Sequence, residues 1–520
     1  MSIPILTLLA VLLVGACSIC AAAPWISVMD HGAVADGKTD NSAAINRAIE
    51  AAEKAGGGTV LVPAGAYLSG PIQLRSYVTL HLEAGATLKA SPRREDYPPE
   101  AGRGSGESGR PGLITARDVR DVAITGRGVI DGNGLAFVQP DTWKPLGSIG
   151  SRQFTRQGDD FMHPRFGTED GPFAPQRDRP GNLVRFFNCR NVLLSGVTIQ
   201  NSPTWTVHIN RCDGVKIHAV NINSLASDRR VPNDDGIDLS NSSNVLITDC
   251  EIQTGDDCVA LFGSQNVVVN GCTLRSRSSA VRVGYNAGAT RRCVFSNLVI
   301  HDSNRGLLVN VRADNSVEDI LFANIAIHTR LHTGDWWGKG EPVHISAVPL
   351  AAGGKVGTIR NVRFQNIMAD SEAGIVIYGV DQSRIRDVSF DNVRLSIRNG
   401  PLSGSYGGNF DLRGADRDER ALFKHDIPAL YAGRVDGLRV RDLEVRWDDG
   451  LPDFFTHAIE CEDFTDLQID GLNARQAKLG GTSAVISLLR GRDVRIRNCI
   501  PAEGAGQFLA ATMVRWRDSR

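Results

Sequence analysis

Two short acidic stretches carry the chemistry that this sequence offers: Asn233-Asp234-Asp235-Gly236-Ile237-Asp238 and Gly255-Asp256-Asp257-Cys258. Asp235 and Asp256 stand 21 residues apart, the length of one turn in a repeating strand architecture. Successive turns of such a fold stack at roughly 4.8 Å, so Asp235, Asp256 and Asp257 are expected in one patch. Carboxylates crowded at that range do not all ionise freely; one pKa rises and a proton is held near neutral pH. A held proton beside an ionised partner suits hydrolysis of a glycosidic bond. One carboxyl protonates the leaving oxygen while another activates a water, across a gap of roughly 6.5–9.5 Å in the inverting case. Isolated pairs such as Asp131-Gly132 and Asp213-Gly214 read as corners; two dense blocks one turn apart read as a site.

The elements that would position these acids repeat along the chain. Asn191-Val192-Leu193-Leu194 with Val197 and Ile199 is matched by Gly214-Val215-Lys216-Ile217 with Val220 and Ile222. Asn244-Val245-Leu246-Ile247 with Cys250 and Ile252, and Asn266-Val267-Val268-Val269 with Cys272 and Leu274, repeat it again. Later copies share a Phe-x-Asn signature at Phe295, Phe322, Phe364 and Phe390, and degenerate copies begin near Leu438, Leu467 and Val494. Spacings of about 22 to 30 residues belong to solenoids, and the period-two alternation within each copy is a strand signature. No copy contains an amphipathic helix, so the pattern predicts an all-β parallel β-helix with Asn ladders at its corners and Phe stacked inside. One helix is expected, Ala43 to Lys54 capped by Asp40, with Ala44, Ile45, Ala48, Ile49 and Ala52 on its apolar face. Lying across the first coil, it would cover the exposed end of the solenoid.

A solenoid lengthens without splitting, so the 520 residues are read as a leader over 1–23 and one domain over 24–520. The first 23 residues are apolar and end in Ala21-Ala22-Ala23, which reads as a secretory signal, and the mature form is expected to be exported with no membrane span. Val14-Gly15-Ala16-Cys17 is a loose lipobox, so anchoring through Cys17 is an alternative. A net charge of −1 gives no support for nucleic-acid binding. The paired cysteines Cys189/Cys212 and Cys250/Cys272 sit at apolar repeat positions and read as buried core residues. A monomer is expected.

With these motifs in view, the chain resembles the family 28 glycoside hydrolases, the polygalacturonase group. The likeness runs from Asp30 to Asp40, through Gly126 to Gly134, Arg179-Pro180 and Asn201-Ser202-Pro203-Thr204-Trp205, to the two acidic blocks. It implies a right-handed parallel β-helix and an inverting hydrolase of pectic polysaccharide or oligosaccharide that needs no cofactor and no metal. By the same resemblance Asp256 is the general acid, Asp235 and Asp257 activate the water, and Asn233 helps to position them. Asp238 is expected to face inward or into a corner. Two departures stand out. Ser279 occupies the place of the family's His, and Leu308-Val309-Asn310 replaces its Arg-Ile-Lys cluster. Arg282 and Arg312 are candidates to supply the missing charge toward a substrate carboxylate, and a rhamnogalacturonan-type linkage is an alternative to homogalacturonan.

A Gly-rich stretch, Thr329 to His344, interrupts the repeat. Its adjacent Trp336 and Trp337 cannot both enter one core, so at least one is expected as a sugar-stacking platform, with Lys339 a candidate carboxylate ligand; His332 and His344 read as structural. The stretches 140–180 and 400–433 lack strand periodicity and are expected as loops shaping the cleft, which would favour exo action. Two other classes stay open: a polysaccharide lyase using Ca²⁺ held by the acid blocks, with Arg282 as base, and a carbohydrate-binding β-helix without activity.

Overall fold

The computed structural model describes residues 25–99, 109–143, 149–161, 171–176, 178–225, 231–285, 288–351, 353–413 and 421–516; the leader read over 1–23, including Cys17, lies outside them. The described chain winds into the expected parallel β-helix. Thirty-seven strands form one continuous sheet (37-stranded, all rungs parallel between successive coils). No helix among the described residues is long and apolar enough to cross a membrane.

The repeat positions pack as their alternation requires. Val192, Leu194, Val215, Ile217, Val245, Ile247, Val267 and Val269 are all buried in one core. Each copy pairs residue for residue with the next: Val215 with Val245, then Val245 with Val267. Phe295, Phe322, Phe364 and Phe390 stack with ring centroids 4.9, 5.0 and 4.8 Å apart, which is the rung spacing of the sheet. At the corners Asn297, Asn324, Asn366 and Asn392 all adopt left-handed backbone, and the side-chain amides of the last three each donate to the Asn one coil earlier at 2.9 to 3.2 Å. Asn tolerates that conformation because its short polar side chain bonds locally. The eight cysteines from Cys189 onward are free, and all but Cys499 are buried.

The N-terminal helix covers Ser42–Lys54, with Ala44, Ile45, Ala48, Ile49 and Ala52 buried against the first coils. Its N-cap is Asn41, whose side chain makes no cap bond; Asp40 instead accepts the Ser42 N–H at 2.9 Å from one position further out. The two aperiodic stretches each hold a short antiparallel pair, Val138–Trp143 with Phe173–Pro175 and Asn409–Asp411 with Leu422–Lys424. Far apart in sequence, they meet in space: the Arg156 N–H donates to Asn409 at 2.6 Å, Arg156 pairs with Asp426 at 2.8 Å, and Phe161 packs on Tyr406.

Candidate active site

Five consecutive rungs build the face that carries the acids. On the strands Val184–Phe187, Val207–Asn210, Ile237–Ser240, Val259–Phe262 and Ser279–Tyr285, alternate residues such as Ile237, Leu239, Val259 and Leu261 enter the core. The intervening positions Arg185, His208, Asp238, Ala260 and Arg282 stand in register on the other face. The acid blocks are the turns feeding two of these strands. Gly236 N–H donates to Asp257 O at 2.8 Å, so the blocks sit on adjacent rungs. One oxygen from each of Asp235, Asp256 and Asp257 lies within 4.8 Å of the others. These nearest oxygens are closer than the gap expected above, because two of the acids are chain neighbours and the third is only one rung away.

Asp234, given no role by the sequence, braces this arrangement. Fully buried, it accepts the Gly255 N–H at 3.1 Å on one oxygen and the Asp256 N–H at 3.0 Å on the other. Gly255 is required beneath it: a Cβ there would come within 2.6 Å of Asp234 Oδ1 and 2.8 Å of the Trp336 ring. Asp256 accepts the Asp257 N–H at 3.1 Å and remains part-exposed. Asp235 is 5% exposed and Asp257 0%. Asp257 is held from both sides, by the Ser279 N–H at 3.1 Å and by Arg282 Nε at 2.6 Å.

Burial dominates the electrostatics. It lifts Asp257 to about 6 against the pull of Arg282. It lifts Asp234 to about 7, with the Gly255 N–H opposing and the Asp256 charge adding to it. Burial, then the charges of Asp256, Asp238 and Asp257, push Asp235 well above the usual carboxylate range, with Arg282 opposing. In a cluster this tight the retained proton belongs to the group rather than to one residue. Among the described residues, Asp235 Oδ1 is buried and receives no hydrogen bond from the protein.

Several expected binding residues stand elsewhere than the sequence suggests. Arg282 is buried and spends its charge on Asp257 instead of a substrate carboxylate. Trp336 is buried against Gly255 and is no platform. Lys339 is buried too, its ammonium 5.0 Å over the Phe161 ring; burial and then Arg413 lower its pKa to about 8, so it does not reach the cleft. The loop is drawn inward because Asp411 takes the Gly338 N–H at 2.6 Å while Arg413 bonds both Asp335 and Asp411. Asp238 stands on the outward face beside the acids, not in the interior, since Ile237 and Leu239 take the core positions. Asn233 occupies a left-handed corner and accepts from Arg179 at 2.9 Å, consistent with a positioning role. His332 and His344 are buried.

Trp337 and Arg312 keep part of their surface. Trp337 meets Tyr285 at 5.6 Å, Tyr285 meets Phe262 at 6.3 Å, and Phe262 stacks on Trp205 at 6.1 Å. Arg312 lies 3.4 Å over Tyr285, and Arg282 lies 4.8 Å from Tyr285 and 5.0 Å from Trp337. The result is an aromatic run along the acid-bearing face. Trp205 and Tyr285 were visible in the sequence, but no local pattern joins them; only the register does.

Comparison with known proteins fits this geometry. The family model "Glycosyl hydrolases family 28" matches residues 54–330. A Vitis vinifera protein named "Probable polygalacturonase" is 32% identical over 241 residues, covering 44% of this chain and 42% of its own length. A Dickeya chrysanthemi exo-poly-alpha-D-galacturonosidase is 28% identical over 257 residues, covering 44% and 40%. The chain thus spans less than half the length of these curated relatives. Among solved structures, the family 28 exopolygalacturonase of Yersinia enterocolitica superposes with a TM-score of 0.57 at 19% identity, over 93% of this chain and 78% of that one, a likeness of fold. The matched span contains both acidic blocks and every rung of the face described above, and by that match the chain belongs to glycosyl hydrolases family 28.

Proposed function

We propose that the protein is an exported, inverting glycoside hydrolase that cleaves galacturonate- or rhamnogalacturonan-type pectic chains from their ends. The observation that carries the mechanism is the unequal burial of the acids. Asp257 is sealed and Asp235 nearly so, so neither can be reached by a ring carbon as a covalent nucleophile would have to be; a water is small enough to use the 5% of Asp235 that stays exposed. Asp256 is the accessible member, so the proton retained by the cluster is delivered to the leaving oxygen there. Asp235 and Asp257 orient and deprotonate the water, and Arg282 and the Ser279 N–H keep Asp257 able to accept.

The aromatic run supports a glycan ligand, because sugar rings stack on such faces. The pectic assignment rests on the relatives' names and on Arg312 beside Tyr285. The contact between the two insertions beside the loop that holds Trp337 supports end-on cleavage. The three acid oxygens are also close enough to ligate a cation, which favours metal-assisted elimination as the second reading.

The deciding experiment incubates the protein, beside Asp256→Asn, with homogalacturonan, rhamnogalacturonan and their oligosaccharides. NMR follows the anomer of fresh product. Saturated product of inverted configuration from wild type only supports the proposal, and monosaccharide alone supports exo action. Retained configuration would overturn inversion. Unsaturated product abolished by a chelator would establish the elimination instead.

A further inference from the structure

A second cationic site lies on the same face, toward the N-terminal coils. Three guanidinium groups surround one ring: those of Arg117, Arg185 and Arg211 lie 4.3, 5.5 and 5.8 Å from the centroid of Phe187. Arg117 pairs in register with Phe187, and Phe187 with Asn210, Ser240 and Phe262 on the following rungs. The ring therefore shares the outward face with Asp238 and Arg282. Phe187, Arg185 and Arg117 keep part of their surface, and Arg211 is exposed.

The like charges of Arg117 and Arg211, gathered on one ring, repel one another, and an aromatic quadrupole offsets only part of that. Among the described residues, Arg117 and Arg211 have no carboxylate within ion-pair distance. Elsewhere on the solenoid some exposed arginines pair with a carboxylate on a neighbouring rung, as Arg360 does with Glu318 and Arg394 with Glu444. Nor is the charge needed to sharpen the acids: Arg185 is two rungs from Asp238, about 10 Å along the axis. Planar guanidinium forks suit carboxylates in bidentate geometry, and the Phe187 ring offers a stacking surface between them.

The geometry points to Arg117, Arg185, Arg211 and Phe187 as a distal subsite that binds carboxylates of a uronate chain a few sugar units from the scissile bond. This deepens the pectic reading and rests on it for the identity of the sugar. It also places the chain's anchoring charge on the N-terminal side of the acids, opposite the side where the insertions meet the Trp337 loop.

The test measures binding calorimetrically on the Asp256→Asn protein, so that no substrate is consumed. Ligands are a long de-esterified oligogalacturonate and its methyl-esterified counterpart. The added pair Arg117→Gln/Arg211→Gln is expected to weaken the de-esterified ligand about tenfold, each exposed ion pair contributing at most a factor of about five. The loss should shrink at high salt and be absent for the ester. Arg492→Gln, an exposed arginine on another strand, is the control expected to change nothing. Equal weakening of both ligands, no weakening, or no binding of the acidic ligand by the parent protein would overturn the subsite. Should wild type hydrolyse no uronate polymer, the functional reading fails, while the arginine-dependent binding still decides this site.

Discussion

Replacing Arg282 by Gln should convert the acid cluster from one that works near neutrality to one that works only in alkali. Asp257 is fully buried, and its pKa of about 6 is the balance between burial, which raises it, and Arg282, which lowers it. The contact is 2.6 Å from Nε to Oδ2. With charge centres about 4 Å apart and an effective dielectric of about 20, the pair interacts by about 4 kcal/mol. At 1.36 kcal/mol per pH unit that is about 3 units. As the base of the proposed mechanism Asp257 has to be ionised, so raising its pKa would keep it protonated and lower the rate at neutral pH. Activity should return as pH rises. In kcat/KM profiles, the wild-type acidic limb near pH 6 should move about 3 units alkaline in Arg282→Gln, with a loss at pH 7 on the order of a hundredfold. Arg282→Lys retains a cation and should move the limb far less. Removing one partner of a buried pair also costs about 3–5 kcal/mol of stability, so folding must be verified by circular dichroism at each pH. A loss of rate that is uniform across pH, with the limb unmoved, would refute the electrostatic role and leave Arg282 as a packing residue.

Asp234→Asn should lower kcat about ten- to a hundredfold, because the amide NH₂ must face either the Gly255 or the Asp256 N–H that the carboxylate accepts, and displacing Asp256 by about 1 Å is enough; unchanged kcat would remove Asp234 from the site. The same residue carries a pH signature. Its folded pKa of about 7 is above the ordinary carboxylate value, so its contribution to stability is complete below about pH 4 and is lost as pH rises through 7, amounting to about 4 kcal/mol. Urea midpoints at pH 5 and pH 8 should therefore differ in wild type and differ less in Asp234→Asn. Phe364→Ala, which removes the middle of a ring stack with neighbours at 5.0 and 4.8 Å, should cost about 3–5 kcal/mol in urea unfolding; a cost under about 1 kcal/mol would mean that the stack is not a source of stability.

The solenoid was legible in the chain because its cause is local and repeated. Alternating apolar residues, an Asn at each corner and a Phe in each later copy recur at one period, and only stacking satisfies them all. The acids were legible for the same reason: once the period is known, Asp235, Asp256 and Asp257 must fall on neighbouring rungs. What the period cannot carry is the fate of side chains in segments that interrupt it. Lys339 and Trp336 look like ligands in a Gly-rich loop, yet Asp411 and Arg413, far along the chain, pull that loop inward and bury both. Arg282 reads as a free cation until the register sets it against Asp257, where a sealed carboxylate competes for it more strongly than a solvated one would. Asp234, Tyr285 and the arginines around Phe187 carry no local signature, since each acquires its partner across rungs or between coils. Sequence determined the repeat, its handover from turn to turn and the place of the acids, because short-range alternation dictates which face each residue takes. Tertiary structure decided which charges meet, because burial and register, not spacing, select the partner of each ionised group.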